Sequence, residues 1–418
     1  MAPAPAALSV RDLSESLVRL LRNDDGDRVE HDLSVWSAQD WEQLLPMATR
    51  HGVAPLVHAR LGTLPPGIAP DDVGDAFRDL YLHSQLKALA TFEVLGEALS
   101  ALRDRQVPVI PLKGAYLAGA VFDDPGHRPM QDFDLLVPHA DVGTALRVLA
   151  DLGYAHRGTP HTDVDYAVHH HVEPVHKLGA LPIEIHHELA PQRSPFRIDY
   201  AGLWERAAVG TVAGVDVPVL APEDLLLHLC THVSYNHRFL VPLLAVYDVV
   251  AVCRRFTTLD WSVLIGIANR DGRAPFVYAT LQLANRLFGL QMPPDVTMLD
   301  HSPDDDDAAE TARSYVLAAP ADVPLGLQAM AERRSAYGRF VAFGRAVFPP
   351  RERMRAIYRL GNRSWLPYVY YVWRPLDLLL RRGAEIVGWA AGHPATQAAR
   401  EREALRRRLH QWAERFHL

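Results

Sequence analysis

The chain is 418 residues long, which suggests two or three domains at roughly 150 residues each and leaves ample length for a buried core. A hydrophobic content of 49% is that of a soluble globular protein, and a net charge of −7 excludes a surface given over wholly to nucleic acid, while a local basic patch stays open. Cys230 and Cys253, the only cysteines, make no disulfide framework; no apolar run of about 20 residues offers a spanning helix, and no basic leader with an apolar run opens the chain, so a cytoplasmic setting is expected.

Residues 8–90 read as helical. Val10, Leu13, Leu17, Leu20 and Leu21 fall at helical spacing, and Trp41, Leu44, Leu45 and Met47 lead to a stop at His51-Gly52. Further helices are predicted over 56–61 and 75–90, with a proline-rich loop at 64–70 and a separate amphipathic helix over 91–106. The pattern then changes to a short strand at 107–112, a turn at Lys113-Gly114, a helix over 115–121 and a turn at 123–126. Phe133, Leu135, Leu136 and Val137 form an apolar run that reads as a buried strand, followed by a helix over 141–152. A hairpin is predicted next, with strands near 166–174 and 181–189 and its turn at 177–180. Helices resume at 222–230, where proline and two acids make a good first turn, and continue over 239–256, 261–269 and 274–287. The acidic run 304–307 is a solvated loop or a helix start, and a charged helix over 400–417 closes the chain.

Asp132 and Asp134 are the most informative residues. Side chains two apart on a strand share a face, so both carboxylates leave the sheet on one side, close enough to hold one cation. Mg²⁺ or Mn²⁺ takes such oxygen ligands together with substrate phosphates. Without a cation, a carboxylate pair at the head of a buried strand costs stability. Glu184 stands in Ile183-Glu184-Ile185-His186, where the isoleucines point to one face and Glu184 and His186 to the other. A third carboxylate beside the pair would complete a two-metal site, and one of the three could take the proton of an attacking hydroxyl. Glu188 is a weaker substitute. Lys113-Gly114, at a strand-to-helix turn, offers backbone N–H groups and a point charge to phosphate. Arg128 is a further phosphate ligand or the partner of Asp123 or Asp124.

Three pieces, Leu112-Lys113-Gly114, the segment from Arg128 to Val137, and Ile183-Glu184-Ile185-His186, together resemble the nucleotidyltransferase superfamily typified by DNA polymerase β. More closely they resemble a poorly characterised bacterial nucleotidyltransferase family within it, and the likeness extends to 48–53, Gly153-Tyr154 and 222–232. The resemblance implies an α+β fold with a mixed sheet, N-terminal helices and a C-terminal helical domain. It implies cation-binding aspartates at Asp132 and Asp134, a third acid at Glu184, and transfer of a nucleoside monophosphate from an NTP with release of pyrophosphate. Lys113, Gly114, Arg128 and His186 would line the nucleotide cleft. The superfamily usually carries Gly-Ser or Gly-Gly at its first turn; Lys113-Gly114-Ala115 must hold phosphate differently. The regions expected are 1–90, N-terminal helices; 91–220, the nucleotidyltransferase core; 221–345, a helical domain; and 346–418, an aromatic and basic helical tail.

Histidines 169, 170, 171, 176, 186 and 187 cluster in the predicted hairpin. No His-Glu-x-x-His spacing occurs, and alternation along a strand keeps His170 apart from His169 and His171, so a histidine-only zinc site is not expected. His228 and His232, four apart on a helix, read as polar contacts facing the sheet or the cleft. The aromatic tail, with Trp365, Tyr368, Tyr370, Tyr371 and Trp373 near Arg374, Arg381 and Arg382, reads as packed on the body or a partner, with peripheral contact to a membrane as the alternative. The expected partners are an NTP and a small-molecule, peptide or protein acceptor, with a nucleic acid acceptor less favoured. Two rival functions are a nucleotide-binding regulator without turnover and a metal-dependent phosphohydrolase.

Overall fold

The computed structural model describes residues 7–22, 26–156, 170–318, 348, 354, 368, 370, 371, 373, 374, 377 and 394–416. The chain forms two compact units, residues 1–317 with 408–418, and residues 318–407. The candidate site lies wholly in the first unit.

Helix α1 (Val10–Arg22) buries Leu13, Leu17, Leu20 and Leu21, the stripe its spacing predicts. Helices α2 (Gly26–Ser34), α3 (Ala38–Arg50) and α4 (Ala54–Leu61) follow. A capping box starts α3: the Ser37 side chain accepts from the Asp40 backbone N–H, and the Asp40 side chain accepts from the Ser37 backbone N–H. The two helices predicted over 75–90 and 91–106 are one, α5 (Asp71–Asp104). Thr91 does not break it, because its hydroxyl donates back to the Lys87 carbonyl at 2.7 Å and so needs no partner outside the helix.

A five-stranded sheet has the order β1-β2-β5-β4-β3. Its strands are β1 (Ile110–Pro111), β2 (Phe133–Leu136), β3 (Ala155–His156), β4 (Val175–His176) and β5 (Ile183–His186). Helices α6 (Lys113–Ala120) and α7 (Val142–Asp151) connect them. The central pair β2–β5 is parallel and the other pairings are antiparallel, so the sheet is mixed. The predicted turn at 177–180 does join two antiparallel strands, β4 and β5; residues 166–169 of the expected first strand lie outside the described residues.

Alternation along β2 and β5 divides the two faces. Phe133, Leu135, Ile183 and Ile185 enter a core shared with Leu95, Leu99 and Leu102 of α5 and with Val148 and Leu149 of α7. The hairpin β6 (Ala208–Val212) and β7 (Val215–Val219) also packs there through Val212, Val215, Val217 and Val219. The sequence reading missed this hairpin. Its signal was alternating valines around Ala213-Gly214, both with positive φ (50° and 77°), as a tight two-residue hairpin turn demands.

Short helix α8 (Tyr200–Arg206) leads into the hairpin. After it come α9 (Pro222–Thr231), a π-helical turn (His232–Asn236), α10 (Leu243–Arg255), α11 (Trp261–Asp271), α12 (Ala274–Phe288) and α13 (Pro303–Leu317). The N-terminal helices share one core with this later set: Leu13, Leu44 and Val57 belong with Leu226, Val249 and Phe276, and Leu136 joins them from the second face of the sheet. The acidic run at 304–307 opens α13, and buried Asp305 accepts from Trp412 Nε1 at 2.8 Å on the last helix, α14 (Pro394–Glu414). Trp365, Arg381 and Arg382 of the aromatic tail lie outside the described residues; Tyr368, Tyr370, Tyr371 and Trp373 are helical. Among the described residues, no helix is long and apolar enough to cross a membrane.

Candidate active site

Parallel register sets Asp134 directly beside Glu184 and Leu136 beside His186. Even-numbered positions of both strands face away from the α5–α7 core, so a carboxylate from each strand and the imidazole two residues on from Glu184 project to one side. The Leu112 N–H donates to the Asp134 carbonyl at 2.9 Å, which fixes the start of α6 against β2. Lys113, the first residue of α6, holds φ at +44°, a left-handed value uncommon for a side-chain-bearing residue. Its Nζ donates to Asp134 Oδ1 at 3.1 Å.

Asp134 is only 3% exposed. Burial opposes its charge, but Lys113, the hydrogen bond and charge of His186, and His232 outweigh burial and hold the carboxyl well below the usual range. His186 Nε2 donates to Asp134 Oδ1 at 2.8 Å and lies 3.4 Å from Glu184 Oε2. Glu184 also takes His171 Nδ1 at 2.6 Å on Oε1. Burial works against the Glu184 charge too, yet the bonds from His171 and His186 bring it down to about 2. Burial lowers the His186 value, and the bonds to Asp134 and Glu184 raise it past the ordinary imidazole value.

One donor atom each from Asp134, Glu184 and His186 lies within 4.8 Å of the others, the spacing of a metal-ligand set. Two carboxylates and an imidazole suit a divalent cation of Mg²⁺ or Mn²⁺ type, with nitrogen favouring the latter. Asp132 stands one residue before β2, is exposed, and is not in this tight group. Its carboxyl is raised, first by desolvation and next by the charges of Asp134 and Glu184, against Lys113 and Arg128. Carboxylates that repel one another in this way are relieved by a shared cation.

The fold-bearing motifs fall within a family model described as uncharacterised nucleotidyltransferase, which matches residues 37–289. The chain belongs to that nucleotidyltransferase family. A solved structure, of the antibiotic-resistance factor ANT(2'')-Ia, is similar over 47% of this chain and 96% of that one, at 18% identity and a TM-score of 0.32, too loose a likeness to add to the family match. No curated protein matches.

In this nucleotidyltransferase Arg128 bonds neither Asp123 nor Asp124. It makes a two-pronged pair with buried Asp248 of α10, Nε to Oδ1 at 2.9 Å and Nη2 to Oδ2 at 2.8 Å. Asp124 instead accepts from Tyr81 Oη at 2.6 Å and from the Gly126 N–H at 2.7 Å. Gly114 is required by this packing, because a Cβ there would collide with the Arg128 guanidinium. Of the four residues expected to line the nucleotide cleft, Lys113 and His186 thus contact Asp134, and Arg128 and Gly114 pack on each other.

Two partners escaped the sequence reading. His171 sat in a histidine run with no mark of its bond to Glu184, and Asp248 lies 120 positions from Arg128. His169 lies outside the described residues. Two cavities, of about 180 Å³ beside Arg22 and Arg286 and about 170 Å³ beside Tyr116 and Ala213, are lined by other groups.

Proposed function

We propose that the protein transfers a nucleoside monophosphate from an NTP to a hydroxyl-bearing acceptor, releasing pyrophosphate, with a divalent cation held by Asp134 and Glu184 and approached by Asp132. The parallel pairing of Asp134 with Glu184 carries this reading, because it brings acids from two distant segments to one point. A bound cation would draw charge from the α-phosphate and leaving pyrophosphate. The acceptor oxygen bonds to the α-phosphorus as the bond to pyrophosphate breaks, and the acceptor proton passes to a carboxylate. Asp132 suits that last role best: its raised proton affinity and exposed position leave it free to receive, whereas Asp134 and Glu184 are already hydrogen-bonded. His171 and His186 orient Glu184, and His186 with Lys113 orients Asp134.

A nucleotide binder without turnover is the second reading, favoured by the engagement of Lys113 and Arg128 with aspartates. Incubation with each radiolabelled NTP and Mg²⁺ or Mn²⁺ separates the two. Pyrophosphate release with label on an acceptor supports transfer; saturable NTP binding with no product supports the binder; phosphate release without labelled acceptor supports hydrolysis and contradicts both.

A further inference from the structure

Two nitrogens share one carboxylate oxygen in the candidate site. Lys113 Nζ lies 3.1 Å and His186 Nε2 2.8 Å from Asp134 Oδ1, and His186 Nε2 is also 3.4 Å from Glu184 Oε2. The other oxygen of Glu184, Oε1, is taken by His171 Nδ1 at 2.6 Å. A cation that binds Asp134 Oδ1 therefore competes with both Lys113 and His186.

The two competitors differ in freedom. Lys113 carries its ammonium on a flexible four-carbon stem and can turn to another anion. The His186 ring is held in place. It is 3% exposed at the end of β5, and the rings of His170 and His171 lie 5.5 and 5.3 Å from it, centroid to centroid. The backbone behind it is tied as well: His171 and His186 form an antiparallel bridge, the Val172 N–H donates to the Ile185 carbonyl at 2.8 Å, and the His187 N–H donates to the His170 carbonyl at 3.1 Å. An Nε2–H kept so close to a divalent cation sets positive charge against positive charge, whereas a bare imidazole nitrogen is an ordinary metal ligand. The donor atoms of Asp134, Glu184 and His186 already lie within 4.8 Å of one another.

We propose that His186 Nε2 is itself a ligand of the divalent cation, beside Asp134 and Glu184, and that this nitrogen makes the site take a first-row transition-metal ion ahead of Mg²⁺. The proposal rests on the cation-assisted reading above. On binding, Nε2 gives up its proton to solvent, the neutral ring carries its one proton on Nδ1, and the Lys113 ammonium turns off Asp134. Mg²⁺ demands oxygen ligands in near-ideal octahedral geometry, while imidazole suits the transition metals.

The test is electron spin echo spectroscopy of Mn²⁺ bound to the full chain, with paired calorimetric titrations of Mn²⁺ and Mg²⁺, on wild type, His186→Gln and His171→Gln. A glutamine amide can still donate to Asp134 but offers no nitrogen lone pair, so it would rescue a histidine that only positions Asp134. Wild type should show modulation from a directly bound nitrogen and favour Mn²⁺ over Mg²⁺ by about tenfold or more. His186→Gln should lose the nitrogen signal and most of that preference, and His171→Gln should keep the signal. Should His186→Gln fail to fold, the nitrogen signal in wild type and in His171→Gln decides. Bound Mn²⁺ without a nitrogen signal, a signal that survives in His186→Gln or vanishes in His171→Gln, or equal affinity for the two ions overturns the ligand assignment and leaves nucleotidyl transfer assisted by the acids intact. A wild-type chain that takes up neither ion, with or without a non-hydrolysable NTP, contradicts the cation-assisted reading and the assignment with it.

Discussion

Glu184 stands across from Asp134 in the parallel register of β2 and β5, and His186 Nε2 reaches toward both, at 2.8 Å from Asp134 and 3.4 Å from Glu184. Replacing either acid by its amide removes a negative ligand and leaves the imidazole without a full counter-charge. Asp134→Asn and Glu184→Gln should each cut nucleotidyl transfer on the order of 10²-fold or more. Steady-state rates with labelled NTP, taken beside Tm to exclude unfolding, check this.

Lys113 produces effects of opposite sign. Its ammonium neutralises Asp134 and so competes with a cation for the same oxygen. Lys113→Met should tighten Mn²⁺ binding in the absence of nucleotide by about tenfold, equivalent to about 1.4 kcal/mol, while weakening NTP binding. Paired titrations of Mn²⁺ and of a non-hydrolysable NTP read both. A lysine with no part in the site would move neither.

Arg128 and Asp248 form a buried two-pronged ion pair. Burial raises the Asp248 carboxyl, and only Arg128 opposes that. Breaking the pair from one side should cost about 3–5 kcal/mol, since an uncompensated buried charge remains. Asp248→Asn should therefore lower stability by denaturant unfolding, and the double change Arg128→Met with Asp248→Leu should recover most of the loss. Additive losses would show that the pair does not act as a unit.

Asp40 gives a pH-dependent stability term. Burial raises its carboxyl, but bonds from Ser37 and the Leu8 N–H outweigh burial and lower it from 3.8. A group with a depressed folded value stabilises the fold above its unfolded value and loses that contribution as pH falls through the folded one. Asp40→Ala should thus cost about 1 kcal/mol near neutral pH, and the gap to wild type should narrow below pH 4. Urea unfolding at pH 7 and pH 3 tests the sign.

The alternation of acids with aliphatics made the candidate site legible in sequence. Ile183 and Ile185 flanking Glu184, and Phe133 and Leu135 flanking Asp134, fix which side chains leave the core. Adjacency of the two strands was not readable from periodicity and came with the family resemblance. The helices predicted over 75–90 and 91–106 are one, α5, in which the Thr91 hydroxyl bonds back to the Lys87 carbonyl. The Arg128–Asp248 pair and the π turn had no local signature: one joins positions 120 apart, and the other, His232–Asn236, continues α9 with no glycine or proline to mark it.

The most direct test of the cation-assisted reading is a crystal soaked with Mn²⁺ and a non-hydrolysable NTP, with the ion located by anomalous scattering. The expected result is an anomalous peak bonded to carboxylate oxygens of Asp134 and Glu184, in contact with the nucleotide phosphates and displacing the Lys113 ammonium from Asp134. An ion bound elsewhere, or nucleotide seated away from these acids with Lys113 still on Asp134, would contradict it.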